Sequence, residues 1–123
     1  MRTLNRTSAW IAAFTALTLI TACGNKEAEE AAKTLINLFP GCEPAYAEVA
    51  TALSAQDKHE EAYNAMRFGL QQVPNSLPIV LNLGLASKRL GRLDEARAIA
   101  RQVREAVGQN DQLEEVLAEI ERP

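Results

Sequence analysis

His59 is the only histidine in the chain, so a Ser-His-Asp or Cys-His arrangement would have to use it. It stands in the charged run Asp57-Lys58-His59-Glu60-Glu61 and reads as a structural or surface residue. The carboxylate pairs Glu60-Glu61 and Glu114-Glu115 have the right residue type for acid-base work, but such pairs belong more often to helix surfaces and caps. No His/Cys cluster has metal-ligand spacing, and no glycine-rich phosphate loop occurs. The sequence therefore assigns no catalytic residue and no metal site, and an enzyme is not expected. Lys88, Arg89, Arg92, Arg97, Arg101 and Arg104 form a basic block in which Arg97, Arg101 and Arg104 share one helical face. That face is either simply solvated, with Arg101 and Arg104 favourable near a helix C-terminus, or a contact for an acidic partner or anionic lipid headgroups. Salt-sensitive binding separates the two.

The other residue with chemistry in reach is Cys23. Arg2 and Arg6 precede an uncharged, mostly apolar run from Ser8 to Ala22, the layout of a secretory signal. The run is too short and too rich in Ala and Thr for a transmembrane helix, which needs roughly 20 apolar residues. Ile20-Thr21-Ala22-Cys23 resembles the lipobox of bacterial lipoproteins. The resemblance implies a signal peptide over residues 1–22, cleavage before Cys23, and a covalent diacylglycerol and N-acyl chain on that cysteine, with no other cofactor. By the usual sorting rule Gly24 implies the outer membrane, with the domain facing the periplasm. The alternative is an ordinary signal followed by an unrelated cysteine. Cys42 would then be a lone thiol, read as a small half-buried hydrophobe with an intermolecular disulfide as the other option.

Residues 23–26 make the lipid site and a short tether, and at about 3.3 Å per extended residue they keep the domain, residues 27–123, against the membrane. From Cys23 onward the chain carries 11 Lys and Arg against 16 Asp and Glu, which argues against a nucleic-acid partner. The mature length allows only a modest single core, a situation that suits stacked hairpins.

Helical patterning begins at Glu27 and runs to Leu38, placing Ala28, Ala31, Ala32, Leu35, Ile36 and Leu38 on one face, and Pro40-Gly41 ends it. A second helix over about Pro44 to Ser54 carries Tyr46, Val49, Ala50 and Leu53 inward. Asp57 with Glu60 predicts a capping box for the third, which runs to Gln72 with Ala62, Met66, Gly69, Leu70 and Val73 inward. The fourth spans Pro78 to Gly91 with Val80, Leu83, Gly84 and Ser87 inward. The fifth spans Asp94 to Val107 with Ala96, Ile99, Ala100 and Val103 inward. Asp111 with Glu114 predicts the cap of a closing helix that buries Leu113, Val116, Leu117 and Ile120.

These elements repeat every 34 residues. Val49-Ala50 recurs as Leu83-Gly84, and Ala28, Ala62 and Ala96 stand in register, as do Pro40 and Pro74. The pattern resembles the tetratricopeptide repeat over about Glu27 to Arg122. The resemblance implies an all-α superhelix of antiparallel hairpins: the second helix of one repeat, two full repeats, and a closing helix. Val80 stands where the family prefers a large aromatic, Ser87 where it prefers tyrosine, His59 where it has an aromatic or aliphatic residue, and Gly108 where it has proline, so looser packing is expected in the second repeat.

The family's usual concave binding surface implies a lining of Ala47, Thr51 and Ser54, then Leu81, Asn82, Leu85, Lys88 and Arg89, then Gln112 and Glu115. Leu81 and Leu85 either take an apolar peptide or lie under the closing helix. Lys88, Arg89 and Arg97 are the residues expected to be free for a partner. The implied function is a non-catalytic, lipid-anchored scaffold that binds an envelope protein or peptide, as a pilotin-like or assembly factor of a secretion or pilus machine. A regulator of a cell-wall enzyme and a self-associating, homo-oligomeric structural lipoprotein are the alternatives.

Overall fold

The computed structural model describes residues 25–123, all of whose regular structure is helical. The helices are α1 (Asn25–Leu38), α2 (Glu43–Ala55), α3 (His59–Gln72), α4 (Leu77–Arg89), α5 (Leu93–Val107) and α6 (Asp111–Glu121). Cys23, the signal segment and Gly24 of the tether lie outside the described residues. Asn25 and Lys26 are already helical, ahead of the Glu27 that patterning marks.

Each helix packs on the next, and α4 also packs on both α2 and α6. The even-numbered helices therefore form an inner layer, with α1, α3 and α5 outside it. Pro44 and Pro78 sit in the first turns of α2 and α4, where a missing N–H costs nothing. The turns inside the two hairpins are built alike. Lys58 N–H bonds the Leu53 carbonyl at 2.9 Å and Asp57 N–H the Ser54 carbonyl at 3.0 Å. Thirty-four residues on, Arg92 bonds Ser87 and Gly91 bonds Lys88, both at 2.9 Å. This turn needs a left-handed residue, supplied by Gly91 at φ 78° and by Asp57 at φ 58°.

Two apolar clusters form the core. One runs from Ala32 through Tyr46, Leu53, Met66, Ile79 and Leu83 to Ile99, and the other joins Ala96, Ala100 and Val103 to Leu117 and Ile120 of α6. Burying a side chain such as Leu117 or Ile120 contributes about 1.5–3 kcal/mol, so α6 covers an end of the stack that would otherwise be wet. Tyr63, Ile79 and Ala86 are also buried although the patterning above does not single them out. Ile79 and Ala86 belong to α4, which is covered on several sides and so buries more than one stripe.

Three expectations are corrected. Leu35 and Leu38 are 45% and 66% exposed, and Ala31 is exposed as well, because among the described residues α1 packs only on α2 and that contact covers just the Ala32 and Ile36 side. Asp57 caps nothing: its left-handed turn aims the carboxylate at solvent, Lys58 holds the N-cap position of α3, and no side chain caps that helix. The cap of α6 is Asn110 rather than Asp111. Its Oδ1 accepts from the N–H groups of Gln112 at 3.0 Å and Leu113 at 3.2 Å, while Glu114 is engaged by Arg104.

Candidate functional site

The inner layer leaves two adjoining depressions that share Leu85 and Arg89. The first, about 360 Å³, lies between α2 and α4 and is lined by Ala50, Thr51, Ser54, Ala55 and Asn82 besides those two. The second, about 440 Å³, lies between α4 and α6 and adds Glu115, Val116, Glu119 and Arg122. Together they form one groove across three helices, because residues one and two turns apart on α4 face the same side.

Five residues predicted for the lining meet there: Thr51, Ser54, Asn82, Leu85 and Arg89. Glu115 joins them from α6. Ala47 is half-buried on α2 and Gln112 exposed at the start of α6, and neither borders the two depressions. Leu81 packs with Leu113 and Val116 in the second core cluster, whereas Leu85 both packs there and edges the groove. The two leucines thus split the alternatives between them.

Lys88 is not free for a partner, since its ammonium meets Glu119 Oε1 at 2.6 Å. That hydrogen bond is the main reason the Glu119 carboxyl lies below its ordinary range, with the charges of Lys88 and Arg122 adding to it. Arg122 bonds the other Glu119 oxygen at 2.7 Å. Arg89 forms no ion pair among the described residues. Thr51 and Asn82 spend a donor each on their own helices, to the carbonyls of Ala47 and Pro78, which leaves both side-chain oxygens as acceptors at the groove.

The basic face of α5 divides as well. Arg104 ties α5 to α6, with Nε 3.0 Å from Glu114 and Nη2 2.5 Å from Glu121. The Glu121 and Glu114 hydrogen bonds hold the guanidinium above its ordinary value, and Arg104 holds Glu121 below its own. Arg97 pairs with Asp94 at 3.6 Å, and Arg101 is exposed. Arg104 is thus a clamp between helices, while Arg97 stays exposed beside Asp94 of its own helix.

Sequence reasoning missed Ala50, Ala55, Val116, Glu119 and Arg122 as lining. Val116 and Ala50 read as core because they are apolar and in register, and the Glu119–Arg122 pair three residues apart was the one legible signal of an organised helix face.

At the start of α3, His59 Nε2 lies 3.7 Å from Asp57 and its Nδ1 is buried without a partner. Cys42 is a half-buried free thiol at the start of α2. Among the described residues no His, Cys, Asp and Glu side chains group to hold a metal ion, and no helix is long and apolar enough to cross a membrane.

Comparison with protein families matches residues 53–120, more than half of the 123-residue chain, to the tetratricopeptide repeat. The chain belongs to the tetratricopeptide repeat family. Comparison with curated proteins finds no match. Tetratricopeptide domains are protein-binding scaffolds and typically non-catalytic, and in this one the inner helices α2, α4 and α6 supply the groove.

Proposed function

We propose that this tetratricopeptide domain is a non-catalytic, lipid-anchored scaffold of a bacterial envelope, tied to the outer membrane through Cys23 and facing the periplasm, whose groove holds a segment of another envelope protein. The observation that carries the reading is the groove's mixed chemistry. Leu85 and Val116 offer an apolar floor, Asn82 and Thr51 offer acceptor oxygens for a peptide backbone, and Arg89 offers a guanidinium for a carboxylate. The apolar anchor and the charge beside it match an acidic, leucine- or valine-bearing segment.

Anchoring is supported by the resemblance of Ile20-Thr21-Ala22-Cys23 to a lipobox and by the closeness of the domain to it, since Asn25 already belongs to α1. A domain held that close to the bilayer meets membrane-associated partners first. The role fits a pilotin-like or assembly factor of a secretion or pilus machine.

The test has two arms. Labelled palmitate is expected in the wild type and absent from Cys23→Ala, and a labelled variant would contradict the anchor. A partner crosslinked in intact membranes is expected to disappear with Leu85→Asp/Arg89→Glu while the domain stays folded by circular dichroism. Undiminished crosslinking in that variant would contradict the groove.

A further inference from the structure

We propose that the exposed apolar face of α1 is a self-association surface, on which the α1 helices of two copies of the chain pair antiparallel about a twofold axis. The face shares no residue with the groove, so the two readings are tested separately.

The other outer helices show what this face is built to receive. Among the described residues α3 packs on both α2 and α4, and α5 on both α4 and α6, whereas α1 packs on α2 alone. Ala31 is the counterpart of Ala65 and Ile99, and Leu35 of Gly69 and Val103. In α3 and α5 these positions meet the first helix of their own hairpin. Gly69 lies under the Tyr46 ring, and Ile99 faces Gly84 so closely that a Cβ there would come within 3.3 Å of it. On α1 the same two positions are exposed. The face is therefore shaped for a helix running antiparallel to α1, as hairpin mates do.

A missing hairpin mate does not account for Leu38. Its counterparts Gln72 and Ala106 stay exposed even within a complete hairpin, yet here the position holds a leucine that is 66% exposed. Ala28, Ala31, Leu35 and Leu38 follow the alternating three- and four-residue spacing of a coiled-coil seam, with no charge among them.

The order of those four residues selects the occupant. Both alanines lie in the first half of the seam and both leucines in the second. When two such helices cross antiparallel around a point between Ala31 and Leu35, every layer sets one leucine over one alanine: Leu35 over Ala31 of the second copy, and Leu38 over its Ala28. A parallel pair would instead stack leucine on leucine at one end and leave a gap between alanines at the other. The antiparallel contact is self-complementary, as an isologous interface requires, and it closes at the dimer. It also sets the negative C-terminal end of each helix beside the positive N-terminal end of the other.

The experiment is photo-crosslinking in intact membranes of cells that make the full chain in two epitope-tagged forms, with the photoreactive residue at Leu38 of one form. An adduct of twice the chain's mass carrying both tags is expected, and trypsin should map it from Leu38 to the peptide Glu27–Lys33 of the second copy. Ala31→Glu in both forms, or Leu35→Lys in both, should lower the adduct about tenfold or more, because each puts two unpaired charges into the seam. Ala31→Glu in one form with Leu35→Lys in the other should restore it, since Glu and Lys then share one layer while the second layer keeps leucine over alanine. Absence of a doubly tagged adduct, an adduct that maps to residues 1–24 of the same chain, or one made only with a different protein overturns the proposal. So does a mixed pair that crosslinks no better than its members. The map of the unsubstituted seam does not depend on how the variants fold, and an adduct elsewhere on the second copy than Glu27–Lys33 also contradicts it.

Discussion

Tyr46 and Val80 occupy the same place in successive hairpins, yet one is fully buried with its hydroxyl bonded and the other edges a cavity of about 250 Å³. The turns inside the hairpins match, but the turn before α4 holds Asn75 at φ 64° where its counterpart Gly41 has no positive φ, so side chains and that turn together make the difference. The first hairpin fills its mouth with its own ring and gains stability. The second leaves the space open to solvent, and α6 supplies through Leu117 and Ile120 the burial that keeps this end of the stack folded.

The joints between hairpins differ in the same way. Glu29 on α1 and Tyr63 on α3 are 34 residues apart, as are the turn cations Lys58 and Arg92. The first joint is ionic: Glu29, almost fully buried, lies 3.6 Å from Lys58, accepts from Gln56 at 2.8 Å and also pairs with Lys33. In the second, the Arg92 guanidinium stacks over the Tyr63 ring at 4.2 Å, and the Tyr63 hydroxyl donates to Glu95 at 2.6 Å. One register position thus carries a titratable clamp in one repeat and an aromatic one in the next.

The strongest way to break the comparison is at the mouths. Tyr46→Ala should cost about 3–5 kcal/mol, as for other buried aromatics. Val80→Ala, already beside open space, should cost only about 1 kcal/mol by the methyl groups it loses. Urea denaturation of the two variants measures both, and equal losses would mean that the mouths are filled alike.

A smaller effect sharpens the contrast of the joints. Hydrogen bonds from Lys33 and Gln56 hold the Glu29 carboxyl below its ordinary value of 4.5. A depressed carboxyl stabilises the fold fully above the unfolded value, and that contribution fades as pH falls through the folded one. Glu29→Gln should therefore cost about 1–2 kcal/mol at neutral pH. The gap from wild type should narrow once the pH drops below about 4.5. Tyr63→Leu should show a loss that persists through the same acid range, because the ring's burial and its stacking under Arg92 do not titrate, and thermal melts across that range read both.

Much of the fold was legible because a 34-residue repeat places small residues where helices cross and Pro or Gly where they stop. Ala62, Ala96 and Ala100 are buried as the register requires. What stayed hidden depends on neighbours that a one-dimensional pattern does not contain. The stripe of Leu35 and Leu38 has the same period as a buried one, and only the absence of a covering helix among the described residues leaves it exposed. Asp57-x-x-Glu60 fits both a cap and a left-handed turn, and the in-register Gly91 was the clue to the turn. At the groove, Leu85 and Asn82 were readable from their place on α4. Lys88 reads as a free cation until Glu119, 31 residues away in sequence, is brought beside it.

The central claim is that the surface joining α2, α4 and α6 receives the partner. Photo-crosslinking residues placed one at a time at Thr51, Asn82 and Glu115 in the groove, and at Asn64 on the outer layer, test it in living cells. The account predicts one shared adduct at all three groove positions and none at Asn64. Adducts at Asn64 with none in the groove would contradict the claim.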